Sequence, residues 1–424
     1  MIREKISHLF LIFIVCSSFS QCSSTSVKKD PEKKDTILYQ PDFRFDSLNV
    51  QEAALYTNAV RDFYDTRLLK SRFNGAILVA KNGQVVFEQY KGYSNFITKD
   101  TLTEHTPFHI ASTSKTFTGM AVLRLWEEGK LSLEDTLQKY FPQLPYRGIT
   151  IRMLLSHRSG LPNYLYFMDS IWDKQKEMTN QDVLNALIIR HPAMQLPPDK
   201  RFQYCNTNFL LLALIIEKIT GEPFPEYMKK NLFEPLGMKD TYVFSIKDTA
   251  NYNPTWSVTK PFTMDAYDCT YGDKNVYSTV RDLFAWDKAL YTHTYLKKAT
   301  LDMAFTPLSN EVHSMHNYGL AWRLFIKGGD TVIYHNGKWH GTNTSFIRLT
   351  QDTATIIVLG NKFNRAVYDA RKLANMFQHY FDTDEYDKLE DTKETISSDE
   401  PKDTATVKKL KYPKVRSHSR RRHR

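Results

Sequence analysis

Apolar residues recur at helical spacing from Leu48 to Leu69 and then gather into two short runs, Gly75–Lys81 and Gln84–Gln89, on either side of Asn82-Gly83. Asn-Gly tolerates positive φ at both turn centres, so these runs predict an antiparallel hairpin. From Thr113 to Gly129 the pattern predicts an amphipathic helix. Mostly helical or irregular sequence continues to about residue 300, including an apolar helix over Thr207–Thr220 closed by Gly221. Strand patterns return at Tyr318–Ile326, Thr331–His335, Thr342–Leu349 and Thr355–Gly360, and a last helix is expected over Arg365–Phe381. Strands near both chain ends with helices between them imply an α+β fold. One antiparallel sheet is built from both chain ends and flanked by helices, with a mostly helical lobe inserted in the middle. A ligand is expected in the cleft between the lobes.

The chain has 424 residues, of which 42% are hydrophobic and 13% aromatic, enough for a large core shared between two lobes. Its net charge of +10 would suggest a polyanionic partner if it were spread over the fold. Nine basic residues and no acid lie in Val407–Arg424, so nearly all of the excess belongs to the tail. This charge distribution does not support a nucleic-acid partner for the folded part. Asp382–Asp403 carries ten acids and three lysines with few large apolar residues, so 382–424 is expected to be disordered, acidic and then basic. At the other end, Arg3 and Lys5 precede the apolar run Leu9–Val15, which is too short to span a bilayer. Residues 1–21 therefore read as a signal peptide and the protein as exported, periplasmic or held at an outer membrane. Cleavage after Ser20 and lipidation of Cys22 both fit, the second giving a lipid anchor. Residues 22–45 read as a linker and 46–381 as the folded domain.

The candidate chemistry begins at Ser112-Thr113-Ser114-Lys115. Residues three apart share a helix face, so Ser112 and Lys115 can touch, and a serine hydroxyl needs such a neighbour to become a nucleophile. At a helix start the Ser112 N–H is available to an oxyanion. A second group is Tyr204-Cys205-Asn206, in which a tyrosine near a cationic lysine has an acidified phenol and carries protons, while Asn206 bonds substrate or the lysine. Alternatively, Asn206 or Thr207 caps the following helix. The third group is His335-Asn336-Gly337-Lys338, expected at the end of a strand, where Gly337 lets substrate approach and the Lys338 N–H supplies a second oxyanion donor. No C-x-x-C or H-E-x-x-H spacing is present, so neither a metal nor a cofactor is expected.

S-x-x-K, Y-x-N and H-x-G in this order resemble the serine hydrolases of the class C β-lactamase and low-molecular-mass penicillin-binding-protein family. The resemblance extends to Ile149–Pro162 and Gly272–Leu283 and covers about 50–381. It implies that Ser112 is acylated, Lys115 activates it, Tyr204 acts as base and then acid, and Asn206, His335, Gly337 and Lys338 bind substrate. His157 and Ser159 are expected to be structural, and His340 to pack or face solvent. The implied partner is a small molecule or peptide bearing an ester, amide or peptide bond, with D-amino-acid peptides among the candidates. A penicillin-binding sensor that acylates without turnover is the alternative. Two departures stand out: Cys205 replaces a small residue and is expected to be a buried thiol, and Asn275 occupies a glycine-rich loop, where it tolerates positive φ. Lactamases of this family usually carry lysine where His335 stands. A mostly neutral histidine there is expected to deprive an anionic β-lactam of its anchor, leaving neutral esters or amides as better substrates.

Overall fold

Asn82 and Gly83 both lie in the left-handed region, at φ 49° and 68°, as a two-residue hairpin turn requires. They join β1 (Gly75–Lys81) to β2 (Gln84–Lys91). The computed structural model describes residues 38–377 and residue 380. The expected signal peptide, Cys22 and the 382–424 tail lie outside the described residues. Residues 38–45, expected to end a linker, instead pack on the fold. Tyr39 N–H donates to Thr294 O at 2.8 Å, and the Phe43 and Phe45 rings lie 6.1 and 5.7 Å from that of Tyr291. Phe45 fills the space that a Cβ on Gly83 would need, so aromatic burial extends the ordered chain ahead of residue 46.

A small hairpin pairs β3 (Tyr93–Asn95) with β4 (Asp100–Thr101). In the inserted lobe, β5 (Phe108–His109), β6 (Tyr242–Val243) and β7 (Val276–Ser278) form a second sheet in the order β5-β7-β6. Strands of two or three residues leave no readable period, and the sequence does not predict them. The chain returns through β8 (His316–Tyr318), β9 (Arg323–Lys327), β10 (Asp330–Trp339), β11 (Thr342–Leu349) and β12 (Ala354–Gly360). The main sheet is antiparallel, ordered β2-β1-β12-β11-β10-β9-β8. Pairing of Gly75 with Gly360 through Lys81 with Ala354 joins the two chain ends, as expected.

The single strand expected over Tyr318–Ile326 is two. Gly319–Trp322 form the turn between antiparallel β8 and β9, with Gly319 N–H donating to Trp322 O at 2.9 Å and its Cα pressed against Ala304 O. In β1, Ala76, Leu78 and Ala80 join a core with Phe117, Trp286 and Ile357, whereas Ile77 and Val79 join another with Val60, Phe63 and Ile356. The sheet is thus a middle layer, and its inner strands read as continuous apolar runs.

Helix α1 (Val50–Phe63) covers one face, capped by Asn49, whose side chain accepts from Glu52 N–H. On the other face lie α2 (Ser114–Glu127), α3 (Asn206–Thr220) and α4 (Val280–Tyr291). Helix α2 is not amphipathic as expected: every residue from Ser114 to Leu125 is buried. Its polar groups are satisfied internally, Thr116 and Thr118 donating to Thr113 O and Gly272 O and Arg124 pairing with Glu128. The last helix, Arg365–Met376, is wound as a 3-10 helix.

His109, His157 and His335 are buried, at 4%, 0% and 0% exposure. Burial holds all three imidazoles below the ordinary range, His109 at about 4. A folded pKa depressed below the unfolded value contributes stability that is complete above the unfolded value and lost as pH falls through the folded one. Thermal unfolding followed by circular dichroism should therefore show a Tm that declines from about pH 6.5 toward pH 4. A constant Tm across that window would contradict neutral burial of these rings.

Candidate active site

The chain turns sharply at Ala111, a residue with a Cβ at φ 49°, and makes one 3-10 turn over Ala111–Thr113 before α2 begins. Left-handed backbone costs such a residue roughly 1–2 kcal/mol, so the surroundings must impose it. Ile110 N–H donates to Val276 O at 2.9 Å, Ile110 O accepts from Thr344 Oγ1 at 3.0 Å, and Ala111 N–H donates to His109 Nδ1 at 3.2 Å. Strand β10 approaches so closely that a Cβ on Gly337 would lie 2.4 Å from Ile110 O and 3.0 Å from Ala111 Cβ. Gly337, expected to admit substrate, instead admits the turn that carries Ser112. Between buried Ala111 and Thr113, Ser112 retains partial exposure.

Lys115 follows three residues on, with no exposed surface. Its ammonium donates to Ser112 Oγ at 3.2 Å, Asn206 Oδ1 at 2.7 Å and Asp273 O at 2.8 Å, which matches its three donors to three acceptors. Asn206 therefore does not cap α3. Cys205 is the N-cap but its side chain makes no capping bond, and Thr207 Oγ1 donates to Pro162 O and accepts from Tyr164 N–H.

Two cations approach the Tyr204 ring, with Lys115 Nζ 4.9 Å and Arg323 Cζ 5.3 Å from its centroid. His157 packs beside it at 4.3 Å. Its Nδ1 accepts from Cys205 N–H at 3.1 Å, so this fully buried ring supports the Tyr204–Asn206 backbone. Cys205 is 1% exposed, with its Sγ 3.4 Å from Leu161 O, and both Cys205 and Cys269 are free buried thiols. Asn275 adopts φ 70°, as its place in the loop anticipated.

The third motif lies inside β10 and not at a strand end. Ile333 and Trp339 join the core on the α2 side while Tyr334 joins the other core, so strand alternation puts His335 and Gly337 on the α2 face and Lys338 on the opposite one. His335 has no exposed surface. Its Nε2 is 3.4 Å from Tyr318 Oη and its Nδ1 is 2.8 Å from Asn336 O. Burial, then the charges of Arg323 and Lys115, push its pKa well below the ordinary range. Tyr318 lies against the ring, which has no exposed surface in this structure. The Lys338 ammonium lies 5.8 Å from the Phe363 ring centroid and does not replace the missing cation. Pairing with β9 stops at Tyr334, so the backbone of residues 335–339 has no further strand beside it on that edge among the described residues.

Two contributors were not among the sequence candidates. Arg323 starts β9 opposite Tyr334, and this register alone brings its half-buried guanidinium to the motif. Asp273 acts through a carbonyl oxygen, which carries no sequence signature even though the residue falls in the family-like stretch Gly272–Leu283. As for metal ligands, candidate atoms of Asp265, Asp268 and His340 lie within 4.8 Å of one another. They already form an ion-pair cluster: His340 Nε2 is 3.3 Å from each Asp268 oxygen, and Trp339 Nε1 donates to Asp268 Oδ1 at 2.7 Å. Burial opposes charge on His340, yet Asp268 holds its pKa above the ordinary range.

Known proteins share this sequence pattern and fold. The chain is 32% identical over 330 residues to Penicillin-binding protein 4* of Bacillus subtilis, covering 73% of each. The penicillin binding protein from Bacillus halodurans superposes with a TM-score of 0.65 at 26% identity, covering 74% of this chain and 98% of that one. The D-amino acid amidase from Ochrobactrum anthropi, complexed with D-phenylalanine, shares the fold at 23% identity, with a TM-score of 0.62 and coverage of 75% and 98%. Residues 60–381 match the family described as Beta-lactamase, and with a relative of this identity and span, the chain belongs to that family.

Proposed function

We propose that this protein is a serine hydrolase that forms an acyl-enzyme on Ser112 and cleaves amide, peptide or ester bonds. The observation that carries the reading is the buried Lys115 ammonium, bonded at once to Ser112 Oγ, Asn206 Oδ1 and Asp273 O. Lys115 and Arg323 both stand close to the Tyr204 ring, and nearby cations favour the charged form of a phenol. Tyr204 accepts the Ser112 proton as Oγ bonds to the substrate carbonyl carbon, and the N–H groups of Ser112 and Lys338 receive the resulting oxyanion. As the carbonyl re-forms, the bond to the leaving nitrogen or oxygen breaks and Tyr204 returns its proton to that atom. Water then adds to the acyl carbon by the same route, releasing the acid and restoring Ser112.

Arg323 supplies the permanent cation that His335 lacks. Its charge reaches the site, since with Lys115 it contributes to the lowered pKa values of both His157 and His335. An arginine fork suits a carboxylate, so the substrate class we favour is a D-amino-acid peptide or related amide with a free carboxylate. This revises the expectation that a neutral His335 leaves the cleft without an anion anchor. Similarity to a penicillin-binding protein supports a peptide substrate, and similarity to a D-amino acid amidase supports a D-configured one.

Ser112→Ala should abolish turnover of a chromogenic ester and labelling by a serine-directed phosphonate read by intact mass, while Lys115→Ala and Tyr204→Phe each lower kcat by at least about 100-fold. Labelling that persists without Ser112 would remove the nucleophile assignment. An acyl-enzyme that accumulates and never releases would assign a sensor in place of a hydrolase. Arg323→Gln should raise KM for a D-Ala-D-Ala peptide by about 10-fold and leave KM for a neutral ester within about 3-fold. Equal effects on both substrates would eliminate the carboxylate contact.

A further inference from the structure

His109 belongs to none of the three motifs, yet its side chain is bonded to the turn that carries Ser112. Its Nδ1 accepts from Ala111 N–H at 3.2 Å, and its Nε2 lies 2.7 Å from Asn275 Oδ1. A backbone N–H can only donate, so Nδ1 is unprotonated and the ring proton sits on Nε2, donated to Asn275. Asn275 is anchored in turn, its Nδ2 donating to Asp268 O at 2.6 Å and Thr270 O at 2.7 Å. The ring is 4% exposed and stands edge-on to Tyr277 at 5.1 Å. A continuous brace therefore runs from the 268–275 loop through His109 to Ala111. The same loop fixes the start of α2, because Asp273 O accepts from Lys115 Nζ and Val276 N–H donates to Ser114 Oγ at 3.0 Å. Ser112 and Lys115 are thus both positioned against one segment.

We propose that His109 is a positioning residue for acyl transfer, holding Ala111 in the left-handed conformation that sets Ser112 Oγ beside Lys115 Nζ. The proposal rests on the reading of Ser112 as the nucleophile. Without the acceptor, the Ala111 N–H is buried and unpaired, and a residue with a Cβ gains by leaving φ 49°. Relaxation at Ala111 rotates the next peptide and displaces Ser112, while the cleft walls, and with them substrate affinity, stay in place.

Three substitutions separate the two hydrogen bonds of the ring. The Asn amide oxygen occupies the position of Nδ1, so His109→Asn keeps the acceptor for Ala111 and loses the contact with Asn275. The Gln amide nitrogen reaches the position of Nε2, so His109→Gln keeps Asn275 and loses the acceptor. His109→Phe keeps neither. With a chromogenic ester, His109→Asn should hold kcat within about 5-fold of wild type, whereas His109→Gln and His109→Phe should each lose about 10- to 100-fold in kcat, with KM within about 2-fold. Phosphonate titration should still count one reactive serine per folded chain. The proposal is overturned if His109→Gln outperforms His109→Asn, or if kcat simply follows Tm across the series, since His109 would then serve only the 268–275 loop. Should His109→Phe fail to fold, the comparison of Asn with Gln decides. Wild-type protein that is not labelled on Ser112 would defeat the nucleophile reading, whereas a normally labelled wild type with an unimpaired His109→Gln would defeat only the role of His109.

Discussion

A fully buried ammonium is tolerated only when all its protons meet acceptors, and Lys115 finds its three in three separate parts of the chain. Ser112 Oγ comes from its own turn, Asn206 Oδ1 from the start of α3, and Asp273 O from the loop before β7. Each bond constrains the element that supplies it. Helix α3 must present its first residue to α2, and the 272–276 segment must lie across the first turn of α2. That segment is tied down by three further bonds, from Thr118 Oγ1 to Gly272 O, from Val276 N–H to Ser114 Oγ and from Ile110 N–H to Val276 O. Misplacing any one supplier removes an acceptor from a buried ammonium, so satisfying Lys115 and assembling the site are one requirement.

The second constraint is steric. The Ser112 turn and β10 approach so closely that any side chain on Gly337 would strike Ile110 O. This contact wedges the turn against the sheet, and Thr344 reinforces it by bonding both Ile110 O and Thr113 Oγ1. The left-handed Ala111 is therefore gripped between β10, β11 and the ring of His109. Strain of this kind persists only where the surroundings over-determine it, and here the over-determined residue precedes the serine.

Electrostatics follow from the same packing. Burial, and after it the charges of Lys115 and Arg323 near the Tyr204 ring, leave His157 and His335 neutral. The cations of the site are therefore a lysine and an arginine, while the imidazoles serve as supports. His157 holds the backbone of the tyrosine motif through Cys205 N–H, and His335 fills the space beside Tyr318. A neutral histidine where the family usually has lysine does not empty the site of cations, because the neighbouring strand provides one.

Local periodicity was sufficient for much of this. The Asn82-Gly83 hairpin, the apolar helix ending at Gly221 and the Ser112–Lys115 contact depend on spacings of a few residues, which the sequence displays directly, and strand patterns near both chain ends implied the sheet that β1 and β12 close. By contrast, β9–β10 register put Arg323 at Tyr204, the close approach of two elements gave Gly337 its purpose, and the buried position of α2 overrode the expected amphipathic face. The brace from Asn275 through His109 to Ala111 joins residues far apart in the chain, and the Asp273 carbonyl is a group that every residue possesses. The sequence alone determined which residues carry reactive groups and which short segments bring them together, since those are properties of neighbours. Only the tertiary structure decided which charges are buried, which backbone atoms accept hydrogen bonds and which side chains face the cleft, because burial, register and backbone partners depend on segments that meet only when the chain has folded.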